Sequence, residues 1–112
     1  MMLITGPLWS GKRAFACRVL GCTPEELSSR AVWDAQDLAA DCENLEALAE
    51  ELSAREMVLM TEVGAGVVPD DAAQRASREA AGRLACLLAA RADCVVRVFC
   101  GLPLVLKGEC AL

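Results

Sequence analysis

A glycine-rich segment that ends in a lysine is the strongest chemical signal in the sequence. Residues 6–12 fit the spacing G-x-x-x-x-G-K of a phosphate-binding loop. In such a loop the backbone N–H groups point at phosphate oxygens, the glycines permit the turn, and the lysine neutralises the terminal phosphates. The sequence therefore predicts a phosphate site, and the alternative is a glycine-rich turn that carries a solvated lysine. The residues of the predicted site are Gly6, Pro7, Leu8, Trp9, Ser10, Gly11, Lys12 and Arg13.

Position 13 departs from the phosphate-loop motif. The motif places Ser or Thr directly after the lysine, because that hydroxyl ligates Mg²⁺. Arg13 has no such hydroxyl, and neither Ser10 nor Thr5 occupies the Mg²⁺ position. We expect nucleotide binding to survive at this loop while magnesium-assisted transfer is impaired.

Two carboxylates are candidates for chemistry beside the loop. Glu62 follows the apolar run 57–61, and Asp34 follows the shorter apolar run 31–33. Ligands of α/β sheets bind outside the carboxyl ends of the strands, where an acidic residue commonly holds Mg²⁺ or its waters. We therefore assign Glu62 to catalysis together with Lys12, and Asp34 to the wider site. The alternative for Glu62 is a solvated loop carboxylate, and no metal ligand is assigned.

Arg75 and Arg78 share one face of a predicted helix. They are further candidates for contact with phosphate. The favoured alternative is that they form surface salt bridges with Glu79 and Asp71.

The elements that must position these residues alternate between strand-like and helix-like segments. Apolar runs predict strands at 2–5, 31–33, 57–61, 95–100 and 104–107. Helical spacing and capping residues predict helices at 12–20, 23–29, 36–55 and 70–92. Strands that alternate with helices predict an α/β fold in one domain, residues 1–112, with a mostly parallel sheet flanked by helices.

The composition excludes several classes of function. Eleven Lys and Arg against 16 Asp and Glu give a net charge of −5, which disfavours a nucleic-acid partner. The absence of histidine removes Ser-His-Asp and Cys-His catalysis. No segment is long and apolar enough to span a bilayer and none reads as a secretory signal, so a cytoplasmic protein is expected. The seven cysteines include no CxxC pair and are expected to be reduced, as small core residues.

Two parts of the sequence together resemble a known family. Leu3–Gly6 with Ser10-Gly11-Lys12 forms the first part, and the second begins with Glu62-Val-Gly-Ala-Gly-Val-Val-Pro69. Further matching residues of the second part are Arg75, Arg78, Glu79, Gly82, Arg83, Leu84, Gly101, Leu102, Pro103, Leu104 and Lys107. These motifs are similar to those of the bifunctional adenosylcobinamide kinase/adenosylcobinamide-phosphate guanylyltransferases of cobalamin biosynthesis.

The resemblance implies a phosphate-loop fold, reduced in size because the middle of the chain is shorter than in the family. It implies binding of GTP or ATP, a corrinoid substrate, phosphorylation of the aminopropanol hydroxyl of adenosylcobinamide, and a homo-oligomer. The family transfers guanylyl through a histidine, which this sequence lacks, so that step is not expected. The alternatives are a catalytically inactive nucleotide-binding or accessory protein of the same pathway, and an α/β domain that no longer binds nucleotide.

Overall fold

The computed structural model describes residues 1–63 and 71–109, and its centre is a five-stranded sheet. The strands are β1 (Met2–Gly6), β2 (Ala31–Val32), β3 (Met57–Thr61), β4 (Cys94–Phe99) and β5 (Leu102–Lys107). Their order across the sheet is β2-β3-β1-β4-β5, with β5 antiparallel to β4 and every other pair parallel. The predicted α/β fold with a mostly parallel sheet is confirmed.

Helices cover both faces of this sheet. They are α1 (Lys12–Leu20), α2 (Pro24–Arg30), α3 (Ala35–Ala39), α4 (Leu45–Ser53) and α5 (Ala72–Arg91). Side chains alternate across a strand, so Leu3 of β1 packs in the cluster formed with α3, α4 and α5, whereas Ile4 packs in the cluster formed with α1 and α2. The central strand β1 is therefore buried on both faces, which agrees with its mostly apolar sequence.

The single long helix predicted over Gln36–Arg55 is wrong. The structure divides this region into α3 and α4, with residues 40–44 between them. The Asn44 side chain accepts a hydrogen bond from the backbone N–H of Ala47 at 3.1 Å and begins a new helix. This local cap stops a pattern of apolar spacing that would otherwise continue through one helix.

Other boundaries differ by a few residues. The edge strand β5 begins at Leu102 rather than 104, and the last helix is Ala72–Arg91, with the Asp71 side chain accepting from the backbone N–H of Ala73. The predicted loop 64–69 lies outside the described residues. Cys94 is disulfide-bonded, which corrects the expectation that every cysteine is reduced, whereas five other cysteines are free thiols. None of the helices described is long and apolar enough to cross a membrane.

Candidate phosphate-binding site

The predicted phosphate loop connects the central strand to the first helix. β1 ends at Gly6 and α1 begins at Lys12, so the loop lies at the carboxyl edge of a parallel sheet, between two neighbouring strands. Gly11 precedes the helix with φ +94°, a backbone conformation that favours glycine. The Lys12 Nζ donates a hydrogen bond to the carbonyl oxygen of Pro7 at 2.8 Å, across the loop. The Lys12 ammonium group therefore spans the loop, and a phosphate oxygen could take the place of the Pro7 carbonyl oxygen as its hydrogen-bond acceptor.

The loop is held against the end of β4. A Cβ at Gly6 would collide with the backbone carbonyl oxygen of Val98, so only glycine fits at this position. The backbone N–H of Gly101 donates to the carbonyl oxygen of Ser10 at 2.8 Å. A Cβ at Gly11 would lie 3.2 Å from the Cα of Gly101. Both glycines of the motif are therefore needed for close approach of the loop to β4 and to the turn that follows it.

A cavity of about 410 Å³ opens beside the loop. One wall is formed by residues 8–14, and the other by Trp33, Asp34, Leu59 and Thr61 from the ends of β2 and β3. Trp9 stands at its rim with 92% of its surface exposed. The cavity therefore offers space for a ligand next to Lys12, at the edge of the sheet where α/β proteins bind ligands.

Arg13 contacts the two residues that follow β2. Its guanidinium lies 4.1 Å from the centroid of the Trp33 indole, and its Nη2 lies 3.9 Å from Oδ2 of Asp34. Gln36 holds this corner to β3, because its Oε1 accepts from the backbone N–H of Thr61 at 2.9 Å while its Nε2 donates to Oδ1 of Asp34 at 3.4 Å. The structure thus places Asp34 beside the loop and adds Gln36, which sequence analysis did not single out.

Glu62 lies next to the loop but is engaged by an arginine of β4. Its backbone N–H donates to the carbonyl oxygen of Gly6 at 2.8 Å. Both carboxylate oxygens accept from Arg97, Oε1 from Nε at 2.6 Å and Oε2 from Nη2 at 2.9 Å. The hydrogen bonds from Arg97 lower the pKa of Glu62 below its usual range, and burial opposes this shift. Sequence reasoning missed Arg97, which no motif marks.

Burial and charge act in opposite directions on Lys12. Partial burial in the loop lowers the pKa of its ammonium group, and the nearby carboxylates of Asp34 and Glu62 raise it. Burial dominates, so the charged form of Lys12 lacks part of its normal hydration. A phosphate group bound beside Lys12 would compensate for this lost hydration, because its negative charge stabilises the ammonium group.

Arg75 and Arg78 lie in the first half of α5, and neither lines this cavity. Among the described residues, no group of three His, Cys, Asp or Glu side chains is arranged to hold a metal ion. The candidate site therefore consists of the loop with Lys12 and Arg13, the Trp33–Asp34 corner, and the Glu62–Arg97 pair.

Comparison with known proteins identifies the family to which the chain belongs. No curated protein matches the chain. A family model described as cobinamide kinase / cobinamide phosphate guanyltransferase matches residues 23–106, from the residue before α2 to a position within β5. The match includes Asp34, Glu62 and Arg97 and begins after the phosphate loop, whose assignment rests on its motif and geometry. Because the match covers most of the sequence, the chain belongs to the cobinamide kinase / cobinamide phosphate guanyltransferase family, whose fold is a phosphate-loop fold.

Proposed function

We propose that the chain binds GTP or ATP at the loop Gly6–Arg13 and transfers the terminal phosphoryl group to the aminopropanol hydroxyl of adenosylcobinamide. Family membership implies a role in cobalamin biosynthesis. The observation that carries the nucleotide part is the position of Lys12, inside a glycine loop between β1 and α1 with its Nζ turned back across the loop. Guanylyl transfer is not proposed, because the 112 residues contain no histidine.

The cavity beside the loop supports binding of the acceptor alcohol. Lys12 would neutralise the β- and γ-phosphates, and the backbone N–H groups of the loop would cradle them. Asp34 is the carboxylate in the cavity wall, and it can accept the proton of an attacking hydroxyl. Glu62 is less suited to this role, because both of its oxygens are bonded to Arg97.

The second candidate function is a catalytically inactive nucleotide-binding or accessory protein of the same pathway. Arg13 favours it, since this residue stands where a phosphate loop carries the hydroxyl that ligates Mg²⁺. The two candidates differ only in turnover.

The test of nucleotide binding is calorimetry of GTP and ATP on the wild type and on Lys12→Ala. Loss of a charge-assisted hydrogen bond to phosphate should weaken binding by about 10- to 100-fold. Lys107→Ala is the matched control, because Lys107 is the other lysine of the sequence and lies away from the loop. It is in β5, opposite Val95 near the start of β4. Equal affinity of the wild type and Lys12→Ala would contradict the proposed phosphate loop.

The test of catalysis is incubation with γ-labelled GTP or ATP and adenosylcobinamide, with the labelled corrinoid separated by chromatography. We expect labelled adenosylcobinamide phosphate from the wild type. Loss of a general base should slow Asp34→Asn by about 100-fold at unchanged nucleotide affinity. Tight nucleotide binding with no labelled corrinoid, even at high protein concentration, would instead establish the inactive binding protein.

We also propose that the chain forms a homo-oligomer through β5. This strand is last in the described sheet, and its side chains are exposed along most of its length. Leu102, Leu104 and Leu106 are 70%, 59% and 57% exposed. Lys107 is the single charged residue of the strand. An exposed apolar edge strand with so little charge is a template for pairing with another strand, and two copies of β5 could pair about a two-fold axis.

A further inference from the structure

We propose that this site binds its nucleotide without a magnesium ion. Arg97 is paired with Glu62, the carboxylate that would be expected to bind the metal, and Arg13 replaces the residue whose hydroxyl group would be the second ligand. The inference rests on the proposed nucleotide binding and specifies which form of the ligand is bound: the free nucleoside triphosphate rather than its magnesium complex. Phosphate-loop proteins ordinarily hold Mg²⁺ with the loop Ser or Thr and an acidic residue at the end of a neighbouring strand. The donor set of this chain does not fit that arrangement.

The acidic ligand is the first mismatch. Glu62 follows β3, which neighbours β1, and its backbone is bonded to Gly6 at the start of the loop. It therefore stands where the metal-binding carboxylate would be expected. Both of its oxygens are taken by Arg97 at 2.6 and 2.9 Å, in the two-point geometry that makes arginine–carboxylate pairs strong. Coordination of a magnesium ion by Glu62 would compete with these two hydrogen bonds and with the positive charge of Arg97.

The hydroxyl ligand is the second mismatch. Arg13 follows Lys12 and lines the same cavity, so this position offers a guanidinium to the ligand instead of a hydroxyl group to a metal ion. The guanidinium is held over the Trp33 ring at 4.1 Å and faces Asp34 at 3.9 Å. A fixed positive charge at this point repels a divalent cation and attracts phosphate oxygens.

The remaining carboxylate does not restore a metal site. Asp34 is the acidic residue left in the cavity wall, and it already interacts with Arg13 and with the amide of Gln36. Mg²⁺ at a nucleotide site is ordinarily held by one or two free carboxylates together with phosphate oxygens and waters. In the described part of the chain, the cavity wall offers one carboxylate, and it is already shared with Arg13 and Gln36.

The charges around the loop favour a phosphate that arrives without the metal. A nucleoside triphosphate that arrives without Mg²⁺ carries its full negative charge to the loop. Lys12 and Arg13 both line the cavity that would receive the phosphates, and Arg97 cancels the charge of Glu62 next to the loop. Even with the Asp34 carboxylate counted, these groups leave a net positive charge facing the ligand, and Arg13 contributes part of the charge that Mg²⁺ would otherwise supply.

The test is calorimetry of ATP and GTP in EDTA and in excess Mg²⁺, on the wild type and on the double variant R13S/R97L. We expect the wild type to bind the nucleotide in EDTA at least as tightly as in Mg²⁺. The double variant regains the hydroxyl and frees the Glu62 carboxylate, so its affinity should become at least tenfold higher in Mg²⁺ than in EDTA. R13S/R97Q serves as a second version if leucine at position 97 impairs folding, as judged by circular dichroism.

Each outcome has a distinct meaning. Wild-type binding that requires Mg²⁺ would overturn this inference and leave the proposed nucleotide binding intact. Binding that is independent of Mg²⁺ in both the wild type and the folded double variant would overturn the assignment to Arg13 and Arg97. Absence of binding to the wild type in both conditions would overturn the proposed nucleotide binding, and the inference with it.

Discussion

At the scale of single residues, the pairing of Glu62 with Arg97 couples the charge of the site to the stability of the fold. The hydrogen bonds from Arg97 hold the pKa of Glu62 below its usual range. A carboxyl group whose pKa is lower in the folded than in the unfolded chain stabilises the fold above the unfolded pKa. This contribution disappears as the pH falls through the lower, folded value, when Glu62 takes up a proton.

We expect Arg97→Leu to flatten the acid side of the stability profile. Above about pH 5 the variant should be less stable than the wild type, and the difference should shrink as the pH falls through the lowered pKa that Glu62 has in the folded wild type. Urea unfolding at a series of pH values measures this difference. Arg83→Leu removes an exposed arginine from the middle of α5 and is the control. A difference that does not change with pH would show that Arg97 acts through packing alone.

The same residues show what sequence can and cannot predict about a site. The loop was identified because its glycines and lysine are adjacent in sequence, and the placement of Asp34 beside it follows from the strand before it. The bond between Glu62 and Arg97 joins residues 35 positions apart. It depends on how β3 and β4 lie on either side of β1, which no local pattern encodes.

At the scale of elements, the division between α3 and α4 depends on one side chain. Asn44 accepts a hydrogen bond from the backbone N–H of Ala47 and begins α4. The apolar spacing that predicted one helix is correct for Leu45, Leu48 and Leu52, which belong to one buried cluster or pack against it. It is wrong for Leu38, which was expected on the same buried stripe and is 46% exposed. Apolar spacing cannot predict where a helix is interrupted, because a helix cap is a local hydrogen bond and leaves no periodic signal.

Removal of this cap should destabilise the protein measurably. We expect Asn44→Ala to lower the free energy of unfolding by about 1 kcal/mol, the usual effect of losing a helix N-cap. Asn44→Asp is the matched control, because its carboxylate can accept the same hydrogen bond and should retain most of the stability. Chemical denaturation of the three proteins provides the comparison. Equal stability of Asn44→Ala and the wild type would show that packing on α5 sets the break instead.

At the scale of the whole molecule, the sheet leaves one apolar edge uncovered in the described structure. If two copies pair through β5, a charge in the middle of that strand should separate them. We expect the wild type to elute as an oligomer in size-exclusion chromatography with light scattering, and Leu104→Asp to elute as a monomer. Leu38→Asp makes the same change on the exposed surface of α3 and should leave the mass unchanged. A monomeric wild type across the accessible concentration range would contradict the pairing.

The sheet itself was largely predictable from the sequence. Four of its strands are short apolar runs separated by helical segments, which indicates a parallel α/β sheet before any coordinate is known. The length and direction of β5 were harder to predict from the sequence, because Cys100 and Gly101 form a tight turn with positive φ values of 53° and 74°. The chain reverses there directly instead of crossing over through another helix.

The contact between the phosphate loop and the turn after β4 also has a consequence in time. Ser10 accepts from the backbone N–H of Gly101, and β1 is flanked on one side by β4. Most of the chain separates these partners, so the loop leaves the ribosome on the order of 10 s earlier, at about 5–20 residues per second. Throughout that interval the loop lacks the strand that shapes it. Nucleotide binding as proposed here therefore has to wait until β4 and the turn after it have left the ribosome.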